Sequence, residues 1–77
     1  MTYHCQGLRS IASGRARSVD DAARMFAHRL AMKLFGRAGR MLSIERVRHH
    51  GAWHQYYAKL GKLEGPVTDT MLLVTKK

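Results

Sequence analysis

The chain has 77 residues, 45% of them hydrophobic, and carries fourteen Lys and Arg against five Asp and Glu, a formal charge of +9. A chain this short buries only about 60–65% of its unfolded surface, which leaves room for one thin-cored domain over 1–77 and hardly any for an enclosed active site. Its hydrophobic content excludes disorder by low hydrophobicity, no apolar run approaches the ~20 residues that cross a bilayer, and the single Cys5 excludes an internal disulfide or a Cys-rich zinc site.

A small domain is kept soluble by a net charge of about 2–8. An excess beyond that draws the chain towards nucleic acid, an anionic membrane or an acidic protein surface. Nine of the fourteen cations are Arg, the side chain suited to bidentate contacts with phosphate and carboxylate. The lone cysteine fits a reducing cytoplasm. The stretch "MTYHCQGLRSIASG" has no charged region followed by an apolar one, so no secretory leader is expected.

In chain order, Tyr3, Cys5, Leu8 and Ile11 alternate with polar residues and predict a first strand over about 2–10. "ASGRAR" follows as a loop, with Ser13 and Gly14 as breakers. Ser18 then stands as a helix N-cap with Asp21 three positions on, and Asp20 and Asp21 sit where the helix dipole favours acids. Val19, Ala22, Ala23, Phe26, Ala27, Leu30, Ala31 and Leu34 recur at three- and four-residue spacing, so a helix runs about 19–35 and ends at Gly36. Its alanines allow close approach to a sheet, with Phe26, Leu30 and Leu34 as the larger knobs.

Two β-rich runs, about 40–48 and 52–60, bracket "HHG", a hairpin turn with Gly51 available for a positive φ. A last strand over about 69–75 follows the loop "GKLEGPV". The fold class is therefore α+β, one helix on a small, mostly antiparallel sheet in the order β-α-β-β-β. Strict alternation groups Leu42, Ile44, Arg46 and Arg48 on one face of the second strand, with Leu42 and Ile44 towards the helix. In the third strand Trp53, Gln55, Tyr57 and Lys59 share one face, and Ala52, His54, Tyr56 and Ala58 the other. The hairpin register decides which set is buried. A domain of this size needs its large aromatics inside, which places Trp53 in the core; Tyr57 is open to either role, including stacking on a nucleic-acid base.

No nucleophile motif, phosphate-binding glycine loop or paired carboxylate with a base is present, and the chain reads as a non-enzyme without a cofactor. Histidines 49, 50 and 54 cluster in "HHGAWH" but lack a matched second half, so no metal site is assigned. The basic helix also matches a membrane-surface pattern, yet its alanine-rich stripe and capped ends suit packing within a domain. The outstanding feature is a 23-residue stretch, 22–44, without one acid. Its cations, continued into the second strand, give the candidate partner-binding residues Arg24, Arg29, Lys33, Arg37, Arg40, Arg46 and Arg48.

The segments "RARSVDDAARMFAHRLAMKLFG" and "MLSIERVRHHGAWHQYYAKL" resemble, in architecture, small phage-encoded anti-CRISPR inhibitors of type I systems, several of which pair one helix with a small antiparallel sheet. The likeness covers most of the chain and assigns no individual binding residue. It implies a non-enzymatic cytoplasmic protein that docks on the RNA-guided surveillance complex, Cascade, and blocks target DNA recognition. Many such inhibitors are acidic and imitate DNA, a mechanism that a +9 chain cannot use. The alternative is a direct nucleic-acid-binding module, architectural or ribosome-associated, that neutralises phosphates with little sequence preference.

Overall fold

The computed structural model describes residues 1–7 and 10–76. Five strands form one antiparallel sheet: β1 (Thr2–Gly7), β2 (Ser10–Arg15), β3 (Arg40–His50), β4 (Trp53–Gly61) and β5 (Val67–Lys76), in the spatial order β2-β1-β5-β4-β3. The helix α1 (Val19–Phe35) lies between β2 and β3 in sequence and packs on one face. The architecture is α+β, with one strand more than the predicted order and the helix after the second strand instead of the first.

The extra strand comes from the stretch predicted to be a loop. Residues 10–15 pair with β1 in the register His4 opposite Ser13 and Gln6 opposite Ile11. Gly14 is no breaker here: it pairs with Tyr3 inside the ladder, and the end of the Met25 side chain lies over its bare Cα. A glycine inside a strand often marks such an approach. The predicted strand over 2–10 includes Leu8 and Arg9, which lie outside the described residues.

The helix begins and ends where its sequence signals stand. The Ser18 hydroxyl accepts the Asp21 backbone N–H at 3.1 Å, and Gly36, at φ +71°, donates its N–H to the Met32 carbonyl. A 3₁₀ turn, Gly36–Ala38, then leads into β3. Ala22, Ala23, Ala27 and Ala31 are completely covered, with Phe26 and Leu30 buried beside them. From the sheet come Tyr3, Cys5, Tyr56, Ala58, Leu60, Leu72 and Val74. Burial in this apolar layer pushes the Cys5 thiol up to about 11. Leu34, expected as a knob, is 46% exposed, and Phe35 packs against the core in its place.

Two bulges in β3 overturn its predicted alternation. The ladder to β4 slips between Met41 and Ser43 and again between Arg46 and Arg48. The first slip turns Met41 towards the core opposite Leu60 and leaves Leu42, expected to face the helix, 42% exposed. The second separates Arg46, opposite Tyr56 on the helix side, from Arg48, opposite Gln55 on the other side. Each extra residue breaks the two-residue period of the strand. Predicted and observed ranges otherwise differ at the ends: β3 runs on through both histidines, and the turn is Gly51–Ala52, with Gly51 at φ +59°.

This register makes a direct prediction. Leu60→Ala should cost about 2–5 kcal/mol by leaving a cavity under α1. Leu42→Ala should cost no more than about 0.5 kcal/mol, as surface substitutions do. Urea denaturation of both variants checks it, and equal losses would contradict the first bulge.

Candidate functional site

All seven predicted partner-binding cations are solvent-exposed, but they do not form one patch. On α1, five residues of helix turn the side chain by about 140°, so Arg24 and Arg29 leave on different flanks. Arg24 faces β3 and, with Arg46, borders a polar notch lined also by Asp20, Ile44 and Tyr56. Arg29 and Lys33 face the β1–β2 hairpin and border an apolar slot lined by Cys5, Ala12, Phe26 and Leu30. The Arg29 guanidinium lies 6.0 Å from the Phe26 ring centre, at the reach of a cation–π contact. Arg37, in the 3₁₀ turn, and Arg40, at the start of β3, follow the C-terminal end of the helix. Arg48 stands on the far side of the sheet beside His50, Trp53 and Gln55.

The notch is held by a part-buried polar link. The Tyr56 hydroxyl donates to the Asp20 carboxylate, tying the first turn of α1 to the middle of β4. Burial, then the bond to Asp20 and its charge, raise the Tyr56 pKa well above the usual phenol range, with nearby Arg46 opposing them. Asp20 therefore serves both the helix dipole and the tertiary fold. Arg46 in turn sits beside a tyrosine and an acid of its own chain, so it is already engaged within the fold.

The histidine cluster has an internal role as well. His49 and His54 are opposite one another in the β3–β4 ladder, and their rings stack at 4.5 Å between centroids. His49 Nε2 lies 2.9 Å from the Gly51 carbonyl oxygen. The Nδ1 atom of His54 is buried and makes no hydrogen bond. Among the described residues no group of three or more His, Cys, Asp or Glu is placed to hold a metal ion. No helix there is long and apolar enough to cross a membrane.

The open face of the sheet differs from its sequence reading. Trp53, expected in the core, is 49% exposed there. The cause is register: Tyr56, of opposite parity on β4, takes the site beneath the helix, and Trp53 pairs with His50 at the hairpin end. Tyr57 lies on the same open face as Trp53, half-buried, opposite Glu45 and Met71. A hydrogen bond to Asp69 is the main reason its pKa is raised; burial and the charges of Asp69 and Glu45 add to it. A phenol tied to one acid and facing another is poorly placed to meet a phosphate backbone. The sequence signal that could have singled out Trp53 is its parity on β4, opposite to that of Ala58 and Leu60, which lie fully buried beneath the helix.

Stability should respond to pH through His54. Its pKa is lowered by burial first, and then by the charges of His49 and Arg46, with Asp20 opposing. The unfolded chain, with an ordinary value of ~6.5, binds this proton more readily. The stabilisation is thus complete above that value and is lost as pH falls through and below it. Thermal unfolding between pH 7.5 and 5.5 should show a loss that His54→Gln reduces; identical pH slopes would contradict this role. Comparison with known proteins finds no matching family model, no matching curated protein and no matching solved structure, so a functional reading rests on these surfaces.

Proposed function

We propose that the chain is a small non-enzymatic binding protein that docks on a polyanionic nucleoprotein, and that its target is the type I CRISPR surveillance complex to which its resemblance points, with inhibition of DNA recognition as the result. The observation that carries this reading is the acid-free stretch 22–44, whose cations Arg24, Arg29, Lys33, Arg37 and Arg40 are all exposed on α1 and the turn and strand that follow it. Of the two preceding acids, Asp20 accepts from Tyr56 through its carboxylate, and Asp21 gives its backbone N–H to the Ser18 cap in the first turn. Cations on a rigid helix need little ordering when they meet phosphates or carboxylates. A long-range positive field also speeds the encounter with a large anionic target.

Inhibition by occlusion requires a rigid body and complementary charge, not a pocket. The molecule meets the first requirement through its capped helix and through strands that join the two ends of the chain, β1 lying against β5. The five cations spread over both flanks and the end of α1, which suits a partner that wraps the helix better than one that touches a single flat face.

Charge reversal tests this reading, and the choice of residue matters. Arg46 and Arg29 are confounded by their contacts with Tyr56 and Phe26. Arg24→Glu, Arg37→Glu and Arg40→Glu should each weaken capture of a purified type I surveillance complex about tenfold or more, the scale of a lost charge-assisted hydrogen bond. Their thermal unfolding should match that of the parent. Unchanged capture and unchanged inhibition of target cleavage would contradict the proposal. Tight binding of the parent to random duplex DNA near physiological salt, falling with a slope of about −0.9 in log K per phosphate neutralised, would favour the direct nucleic-acid module instead.

A further inference from the structure

The cations of the proposed function lie on the helix side of the molecule, and the open face of the sheet has no role in it. Cross-strand register divides that face into two halves of different charge. In one half, His4, Thr75, Trp53 and His50 lie in line across four strands, and Gln6, Leu73, Gln55 and Arg48 form the adjacent row. In the other half Tyr57 lies between Met71 and Glu45, and Lys59 pairs with Asp69. Both acids of the open face therefore fall in the Tyr57 half. Among the described residues the Trp53 half carries Arg48, histidines and amides, and no carboxylate side chain.

Trp53 stands at the border of two shallow grooves. One is lined by Arg48, His50, Gln55 and Leu73, and the other by His4, Gln6, Ile11 and Thr75. An indole nearly half exposed on a sheet offers a π-face to a flat ring. The side-chain amides of Gln6 and Gln55 carry donors and acceptors of the kind that read base edges. Arg48, in the same groove, carries a guanidinium of the kind that contacts phosphate.

We propose that the Trp53 half of the open sheet face is a stacking site for unpaired bases of single-stranded nucleic acid, with the indole as platform and Arg48 as backbone contact. The charge of the half decides the class of ligand, because a surface with a guanidinium and no carboxylate side chain among its described residues complements a polyanion. Stacking decides the strandedness, since a base inside a duplex has no free face for the indole. The site is separate from the cationic helix surface and does not depend on the identity of that surface's partner. It also moves the stacking role from Tyr57, which Asp69 and Glu45 surround, to Trp53.

Trp53 is the only tryptophan in the chain, so its emission reports on the site directly. The full-length protein should be titrated, near physiological salt, with oligo-U RNA and oligo-dT DNA of about 12 nucleotides, a length within the range of single-strand sites. The expected result is quenching by the single strands and none by a duplex of equal length or by heparin. Measured by anisotropy of a labelled oligonucleotide, Trp53→Ala should weaken single-strand binding roughly 5- to 150-fold, the range of one lost aromatic stack. Trp53→Phe should retain most of the affinity, and Tyr57→Phe should not change it.

Absence of quenching, equal quenching by heparin, or unchanged affinity in Trp53→Ala would each overturn the proposal. So would loss of surveillance-complex capture in Trp53→Ala without any single-strand quenching, which would assign the face to a protein. A chain that ignores the surveillance complex but shows the quench keeps this site and loses the function proposed above.

Discussion

The close contact between α1 and the sheet is the constraint on which the rest of this structure depends. Four alanines, Ala22, Ala23, Ala27 and Ala31, have no exposed surface at all, and the sheet answers with Ala58 directly in the layer beneath them. Small side chains on both sides bring the two backbones together, so the core is thin and is filled by few large groups. A helix of this length is marginal on its own in water and becomes stable by burying such a stripe. The same closeness limits what else can be buried: Tyr56 enters at the edge of the layer by donating its hydroxyl to Asp20, whereas Trp53 lies on the opposite face. The aromatic surface on the open side of the sheet is thus a consequence of how the helix side is packed.

The elements written in local chemistry were legible from the residues. Ser18, the two aspartates, the apolar stripe and Gly36 define α1 at both ends, because caps and dipole interactions act within one turn. The two faces of β4 were legible for a similar reason, as its ladder to β5 runs without a slip from Trp53 to Gly61 and period-two alternation survives. What was not legible depends on a neighbour. Gly14 reads as a breaker until Met25 is placed over it. The β3 bulges leave no mark in composition, yet each one moves every later side chain to the other face. That is how Arg46 and Arg48, two positions apart, came to lie on opposite sides of the sheet.

The candidate surfaces follow the same division. Exposure of the helix cations was legible, since α1 has a clear apolar stripe and its charges must lie elsewhere. Their arrangement was not, because helical rotation sends Arg24 towards β3 and Arg29 towards the hairpin, and only the strand order shows that these are different places. The burial of Trp53 was misread by a rule of size, that small domains need their large aromatics inside. The rule fails here because the alanine-lined layer is shallow and register gave the interior site to Tyr56.

A protein with fourteen cations and five acids is shaped as much by where the acids are as by where the cations are. Asp20 and Asp21 belong to the helix N-terminus, where the dipole holds them. Glu45 and Asp69 face Tyr57 on one half of the open sheet, and Glu64 lies in the turn between β4 and β5. Every acid is thereby confined to the cap, to the Tyr57 half or to one connecting turn. The surfaces that remain, the flanks and C-terminal end of α1 and the Trp53 half of the sheet, are positive without needing an unusual density of arginine. At physiological ionic strength charges screen beyond about 8 Å, so a local absence of acids decides what can approach more strongly than the total of +9. On that scale the molecule has two positive regions on opposite faces that lack acidic side chains, and under the proposed readings an extended anionic partner would engage both while a small one would meet only one.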